Sequence, residues 1–546
     1  MNQRRVLVAL AVCAFLALCW IPTGLLLASG FVADGSPTLA HLKALFVDPV
    51  NGAYDPRVVG LLRNTMIIGV GAAFASTLLA LPAAWLLART RLPGSGLFGF
   101  LLMAPLIVPP YVHGIAITQF LWDLGKAEWL VRAGITLPEL GGHVGAIVLL
   151  TVSLFPMALL LCAKGFRGVD GNAEDAAVLA RGPWSAFLRV SIPLALPSIL
   201  AGFLFVFVFA VSEFGIPDFL SFAYPQIAAR QVFATEIFMQ FSKARNSELA
   251  AVSSLPLVLI VGVAAYALLR LETREDRVGR GVMAVEPRTR ELGRWKPVAL
   301  AYLGLLVTTT AVVPLAQLVH WAFRDGPNGR FAEMRSAFRD AGADIGRSFL
   351  LALGAALLMV VIATPLAHAF ERARSSQVRM RLALFAFLPI AFPAMLLTIG
   401  EIRMWNRIPG PVYDSVALVL LTYVARFLPL AFLNLRAGIR GFDAAQEDAA
   451  RLSGRSYLSI LVRVVGPGIA PTLASAVLIG FVLSMRELDS VAILPRGSDT
   501  LPMRVYSMVH TVREPVVASL CLVLVAASAV PLLVWRYVLG KRVRVL

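Results

Sequence analysis

Apolar residues along this chain come in long blocks rather than with the period of a soluble helix or strand. Twelve blocks are long enough to cross a hydrocarbon core of about 30 Å, which takes about 20 residues as a helix. They cover roughly 6–29, 60–87, 97–120, 143–163, 198–221, 249–270, 298–322, 348–371, 381–402, 414–435, 472–494 and 515–538. Polar and charged positions are confined to the short stretches between blocks. The pattern predicts an all-α polytopic membrane protein, because in lipid a helix satisfies its own backbone groups.

Two of the polar stretches match. Glu174-Asp175-Ala176-Ala177 returns 273 residues later as Glu447-Asp448-Ala449-Ala450, and each copy is followed by a proline pair, Pro193/Pro197 and Pro467/Pro471. The match extends well beyond four residues. The stretch from Arg63 to Pro82 answers that from Arg347 to Pro365, and each of these prolines has an arginine seven residues on, Arg89 and Arg372. Pro105 and Pro109 answer Pro389 and Pro393, Phe155-Pro156 answers Leu428-Pro429, and Glu213 answers Glu487. Six blocks per half is an even number, so both copies enter from the same side and the repeat is parallel. Residues 1–270 form the first half and 298–546 the second. The charged stretch 271–297, with Gly279, Gly281, Pro287 and Gly293, reads as a linker fusing two once-equivalent subunits.

Composition agrees with this reading. Hydrophobic residues make up 58% of 546, charged residues 15%, and mean hydropathy is +0.79. The net charge of +17 does not mark a nucleic-acid binder, since the bases are scattered through short loops. Placed with both termini in the cytoplasm, they follow the positive-inside rule: Arg89/Arg91, the 270–296 stretch, Arg372/Arg374/Arg379/Arg381 and Lys541/Arg542/Arg544 all fall inside. The stretch 323–347, with five arginines on the outer side, is an exception. The first block, after Arg4 and Arg5, is longer than a signal-peptide core and is expected to stay as an anchor. Cys13, Cys19, Cys162 and Cys521 lie in apolar blocks and form no motif.

Both signatures fall on the cytoplasmic side of this topology. Asp170, Gly171 and Asn172 supply helix-start residues, and Glu174 and Asp175 lie in the first turn, where acidic charge suits the helix dipole. A small-residue face follows, then a break at Gly182-Pro183 and a second short helix from Trp184. The second copy runs from Asp443 through Glu447/Asp448 to a break at Gly454. Such a helix can seat in a groove on a partner, or lie on the membrane surface; recurrence at matching depth in both halves favours the first.

This pattern resembles the "EAA" loop of type I ATP-binding-cassette (ABC) importer permeases, and the resemblance covers essentially the whole chain. It includes Asn64, the proline-rich third block, Ser212-Glu213-Phe214-Gly215, Ala234-Thr235-Glu236-Ile237-Phe238, Arg486-Glu487-Leu488 and Leu501-Pro502-Met503-Arg504-Val505-Tyr506. The second copy fits closely. The first departs, with Arg181 near the glycine place and Gly182 beside it, which leaves the bend of that loop open. The nearest subgroup is the fused permeases of ferric-iron, thiamine and aminophosphonate importers.

The resemblance implies two separate cytoplasmic ATPase subunits, one per loop, a periplasmic solute-binding protein, and residence in a bacterial inner membrane. ATP and Mg would be used by the partners. This chain has no Gly-x4-Gly-Lys-Ser/Thr loop, since Gly125-Lys126 and Gly540-Lys541 are each followed by the wrong residue. It would act as a permease rather than an enzyme, with no cofactor, metal or nucleic acid of its own and lipid around it. Coupling would fall to Glu174, Asp175, Ala176, Ala177, Gly182, Glu447, Asp448, Ala449, Ala450 and Gly454, the two glutamates docking on the partner.

Pathway candidates are Glu213 and Asp218 in the fifth block and Glu487 and Asp489 in the eleventh, because ionisable residues in spans are costly. As oxygen ligands they would suit ferric iron; alternatively they pair with bases such as Arg486 or cap helix ends at the outer interface. Arg426 is expected to meet an acid or helix carbonyls, and His113 to be a packed, hydrogen-bonded histidine. Pro109 and Pro393, with Pro105, Pro110 and Pro389, read either as kinks or as a gate hinge. Ferric iron leads as solute, ahead of thiamine, aminophosphonate or another small solute. An ion-coupled secondary transporter is the rival from another class, and a membrane scaffold a further one.

Overall fold

The computed structural model describes residues 2–33, 35–47, 52–134, 140–225, 231–278, 289–324, 332–373, 375–495, 500–509 and 514–539. The basic tail and the middle of the linker, with Gly279, Gly281 and Pro287, lie outside them. Among the described residues eight helices are long and apolar enough to cross a membrane: Gln3–Ser29, Arg57–Arg89, Gly142–Arg167, Pro183–Ser212, Ser247–Leu271, Gly293–Ala322, Phe338–Glu371 and Val416–Gly441. Three further helix pairs are apolar enough when each is taken as one bent element, and Glu514–Leu539 is the last described helix. At most eleven candidate spans and one shorter apolar stretch, Pro515–Pro531, fall on the twelve expected blocks in order. The helix that begins at Ser247 runs on to Val278, so the start of the linker continues the sixth span.

The third span of each half is broken at its prolines. Ser95–Leu106 meets Pro110–Gly125 at 99°, and Gln377–Ala391 meets Ala394–Arg407 at 98°. Pro109 (φ −57°, ψ 145°) and Pro393 (φ −54°, ψ 145°) sit just before the second helix of each pair in an extended conformation. Proline cannot donate to the preceding turn, so the ladder stops there. A right-angle break goes beyond a kink, and it is copied in both halves.

The first span of each half is exchanged. Gln3–Ser29 packs on the second half: Trp20 Nε1 donates to Phe385 O at 3.1 Å and stacks on the Phe385 ring, and Cys19 Sγ donates to Ala425 O at 3.3 Å. Gly400 lets the backbones touch there, since a Cβ on it would lie 2.6 Å from Pro22 O. Conversely Gly293–Ala322 reaches the first half, where Tyr302 Oη donates to Leu79 O (2.7 Å) and Gln317 Nε2 to Asp123 Oδ2 (2.7 Å), while its end, Val313–Ala322, also packs on Glu514–Leu539 of its own half. Two sequence-contiguous halves are thereby interlocked.

At the end opposite the signatures, a short helix in each half is tied to the long second span by one hydroxyl. Phe233 N donates to Thr65 Oγ1 (3.1 Å), and Leu501 N to Ser348 Oγ (2.7 Å). These helices are Phe233–Ser242 and Leu501–Val509.

Candidate functional site

Each signature forms a short helix at the end of the bundle where the second and fourth spans of its half stop. The helices are Gly171–Arg181 and Ala444–Leu452. Asp170 and Asp443, each four residues before the glutamate, cap them by accepting from Asn172 N and Ala445 N, both at 2.9 Å. Gly182 (φ +81°) and Gly454 (φ +75°) end the turn in left-handed backbone that favours glycine. The first loop therefore bends at Gly182 itself.

Within the chain both glutamates are turned inward rather than presented on the surface, as docking on another subunit would ask: Glu174 is 3% exposed and Glu447 1%. Each meets the arginine that ends the second span of its own half. Arg89 donates to Glu174 through Nη2 and to Val169 O through Nη1 at 3.2 Å. Arg372 donates to Glu447 Oε1 through Nε (2.9 Å) and Nη2 (2.7 Å), and through Nη2 to Phe442 O at 2.9 Å. Val169 and Phe442 both lie five residues before their glutamate, so the two anchors have one design. A buried carboxylate requires such a partner, since removal of either member leaves an unpaired charge out of water. The arginines carry a sequence signal, the repeated seven-residue spacing after Pro82 and Pro365, which had no function attached to it.

The second carboxylate oxygen is satisfied differently in each half. Ser191 Oγ donates to Glu174 Oε1 at 2.8 Å. His368 Nε2 lies 2.9 Å from Glu447 Oε2, and its Nδ1 lies 2.9 Å from Tyr457 Oη, at the head of the next short helix. A carboxylate only accepts, so in the neutral ring Nε2 carries the proton and Nδ1 accepts from the tyrosine. Burial pushes the Glu447 carboxyl up, but the hydrogen bonds and charges of His368 and Arg372 outweigh it and hold the group down at about 2.

With the glutamates turned inward, other residues face out. Ala176 and Ala449 are exposed, Ala177 and Ala450 half-buried, and Asp448 is more open than Asp175. Beyond them Leu179 and Leu452, at equivalent positions, are 89% and 90% exposed. A large apolar side chain bare to that degree on a polar helix is out of place unless something covers it. Trp184, Leu188, Leu458 and Val462 extend this exposed apolar face along the second short helices.

The four pathway acids are placed differently from expectation. The fifth span's helix ends at Ser212, so Glu213 follows it and Asp218 lies on a separate helix, Gly215–Ala223. Glu487 and Asp489 likewise follow the end of Ala470–Met485. Their oxygens meet backbone amides, bases and hydroxyls: Glu487 Oε1 accepts from Ser490 N at 3.1 Å and from Ser490 Oγ at 2.7 Å. Arg426 Nε lies 3.1 Å from Glu487 Oε1 and its Nη2 3.8 Å from Asp489 Oδ2, as the alternative reading expected. Glu213 is within the electrostatic reach of Arg486 and Arg426. Tyr506 Oη donates to Asp218 Oδ2 at 2.6 Å. Among the described residues no three His, Cys, Asp or Glu side chains come together as metal ligands.

This cluster lies between the halves. Arg486 Nη1 donates to Leu106 O (2.7 Å) at the first broken span, and Tyr111 Oη to Pro502 O (3.3 Å). Beside it, a small cavity is lined by Phe209 and Ser212 of the first half and Pro389, Phe392 and Arg426 of the second. Pro109 and Pro393 lie at the bends that shape this region. His113, fully buried, is 3.0 Å from Ser153 Oγ, the packed arrangement expected of it.

Residues 359–545 match the family described as the inner-membrane component of binding-protein-dependent transport systems. Over 486 residues, 88% of this chain and 90% of the relative, the sequence is 24% identical to the Fe(3+)-transport system permease protein FbpB 2 of Haemophilus influenzae. It is 28% identical to the molybdate/tungstate permease WtpB of Thermococcus kodakarensis over 35% of this chain and 71% of that protein. It is 33% identical to the molybdenum permease ModB of Escherichia coli over 24% of this chain and 58% of that one.

Proposed function

We propose that the chain is a fused, two-half permease of the type I ABC importer kind and that it carries ferric iron inward across the bacterial inner membrane, driven by two separate ATPase subunits. The observation that supports this reading is the pair of mirrored anchors, Glu174 on Arg89 and Glu447 on Arg372, each presenting a bare leucine. The anchor makes the helix rigid with its span, and Leu179 or Leu452 is the knob an ATPase subunit grips. Asp175, Ala176, Ala177, Asp448, Ala449 and Ala450 flank the knob and allow close approach, while Gly182 and Gly454 set the angle of the next helix. ATP and Mg act on the partners, whose approach and separation the anchors pass to the spans. Both termini and both loops face the cytoplasm in this reading. A periplasmic binding protein delivers the solute at the opposite end, and the cluster of Glu213, Asp218, Glu487 and Asp489 between Pro109 and Pro393 forms part of the route.

Ferric iron is preferred because relatives named for it align along 88% and 86% of this chain, whereas those named for molybdate or molybdenum align along 35% or less. The test is reconstitution in proteoliposomes with the ATPase and binding protein encoded beside it, measuring uptake of labelled ferric iron and of molybdate. Replacing both Leu179 and Leu452 by Asp is expected to abolish substrate-stimulated ATPase and uptake while the chain still inserts. Uptake that proceeds without ATP, or unimpaired in the double variant, would overturn the reading.

A further inference from the structure

The two coupling helices differ in the source of one arginine. In the second, Arg451 lies on the helix and reaches both acids, with Nη2 3.5 Å from Glu447 Oε2 and Nη1 3.0 Å from Asp448 Oδ1. In the first helix Val178 stands at that position. The double reach is made there by Arg290, from the stretch that joins the two halves: its Nη2 lies 2.9 Å from Asp175 Oδ1 and 3.8 Å from Glu174 Oε2.

Arg290 is itself held. Its amide donates to Arg89 O at 2.8 Å and its carbonyl accepts from Arg91 N at 3.0 Å, a parallel bridge at the end of the second span. Arg91 Nε donates to Thr289 Oγ1 at 2.9 Å, and Glu291 pairs with Lys296 at 2.7 Å. The backbone that anchors Arg89 to Glu174 is thus the backbone to which the linker is stitched. A side chain presented by fixed backbone loses less freedom on pairing than one on a loose tether.

We propose that the end of the linker is a working part of the first coupling loop, with Arg290 the positioning residue that holds the first coupling helix in place of the arginine its sequence lacks. Fusion then does more than keep two halves together. The second loop carries its own arginine and is independent of the linker, so the two loops answer to different residues.

The test begins with hydrogen exchange on the full chain in detergent, which needs no partner. Arg290→Ala is expected to speed exchange across Gly171–Arg181 about three- to tenfold, the range for losing a half-buried charged pair, and to leave Ala444–Leu452 unchanged. Val178→Arg added to that variant restores protection, because it recreates the arrangement of the second helix. Arg451→Ala has the mirror effect. In proteoliposomes the same variants are read as solute moved per ATP hydrolysed, which falls in Arg290→Ala and recovers in the double variant. Unchanged exchange across 171–181, equal loss in both loops, or no rescue by Val178→Arg overturns the proposal. Only the uptake arm rests on the permease reading: a wild-type chain that fails to couple uptake to ATP sinks that reading, while the exchange arm still decides the role of Arg290.

Discussion

At the scale of single residues, the decisive fact is which way two glutamates point. Both stand in the first turn of a polar helix, a position that looks solvent-facing in the sequence. What buries them is an arginine 75 residues or more away, at the tip of another helix. The recurrence of the signature was legible in the sequence, and so was the spacing of Arg89 and Arg372. Their pairing was not, because it depends on where two helix ends meet. Glu447→Ala strands Arg372 and His368, and is expected to weaken the second loop by about 2–4 kcal/mol. Faster hydrogen exchange confined to Ala444–Leu452 would register this. The pH dependence follows from the depressed carboxyl. Its folded value, about 2, lies below the ordinary one of 4.5. The anchor's contribution is therefore complete above the ordinary value and is lost as pH falls through the folded one. Melting in detergent should lose part of its pH sensitivity between about pH 5 and about pH 2 in Glu447→Ala; identical profiles would exclude the anchor as a stabilising pair.

At the scale of elements, apolar length located the helices of the bundle but not their breaks. The third and ninth blocks read as continuous because hydropathy does not register a turn of backbone, yet proline ends the ladder in both. The fifth and eleventh blocks were read too far, past Ser212 and Met485, since Phe214, Ile216 and Leu488 are as apolar as the helix before them. Those residues are buried by protein instead of lipid. A closer constraint acts on the exchanged first span. At Gly400 an added Cβ meets main-chain atoms of Pro22, which cannot rotate away. Gly400→Leu is therefore expected to cost about 1–3 kcal/mol and to loosen Gln3–Ser29 from the second half. A cysteine cross-link between these elements would form more slowly in the variant, and unchanged cross-linking would refute the close-contact argument.

At the scale of the whole molecule, duplication preserved geometry more faithfully than chemistry. Glu236 of one short helix pairs with Arg57 at 3.3 Å, whereas Arg504 of the other pairs with Asp344 at 2.7 Å, the same brace with its charges reversed. Phe238 and Tyr506 occupy matching turns of those helices, but only the tyrosine carries a hydroxyl, and it crosses to Asp218 of the other half. Such inversions hide the repeat from a residue-by-residue comparison, while the hydroxyl ties at Thr65 and Ser348 keep it plain in three dimensions. They also show where the halves hold each other. At the end away from the coupling loops, Arg486 on Leu106 O and Tyr506 on Asp218 bridge the seam beside the acid cluster. Any motion that admits solute from that side has to part them, so each bond biases the molecule towards its closed seam. Tyr506→Phe keeps the ring, 6.2 Å from that of Phe214, and matches what Phe238 already is in the first half. It deletes one hydrogen bond, worth about 1 kcal/mol net, or about a fivefold shift between closed and open seams. On the proposed function, in which the anchors pass seam opening to ATPase subunits, hydrolysis without binding protein should rise by about the same factor. A basal rate equal to or below wild type, in a variant that still inserts and melts normally, would mean that this bond does not keep the seam shut.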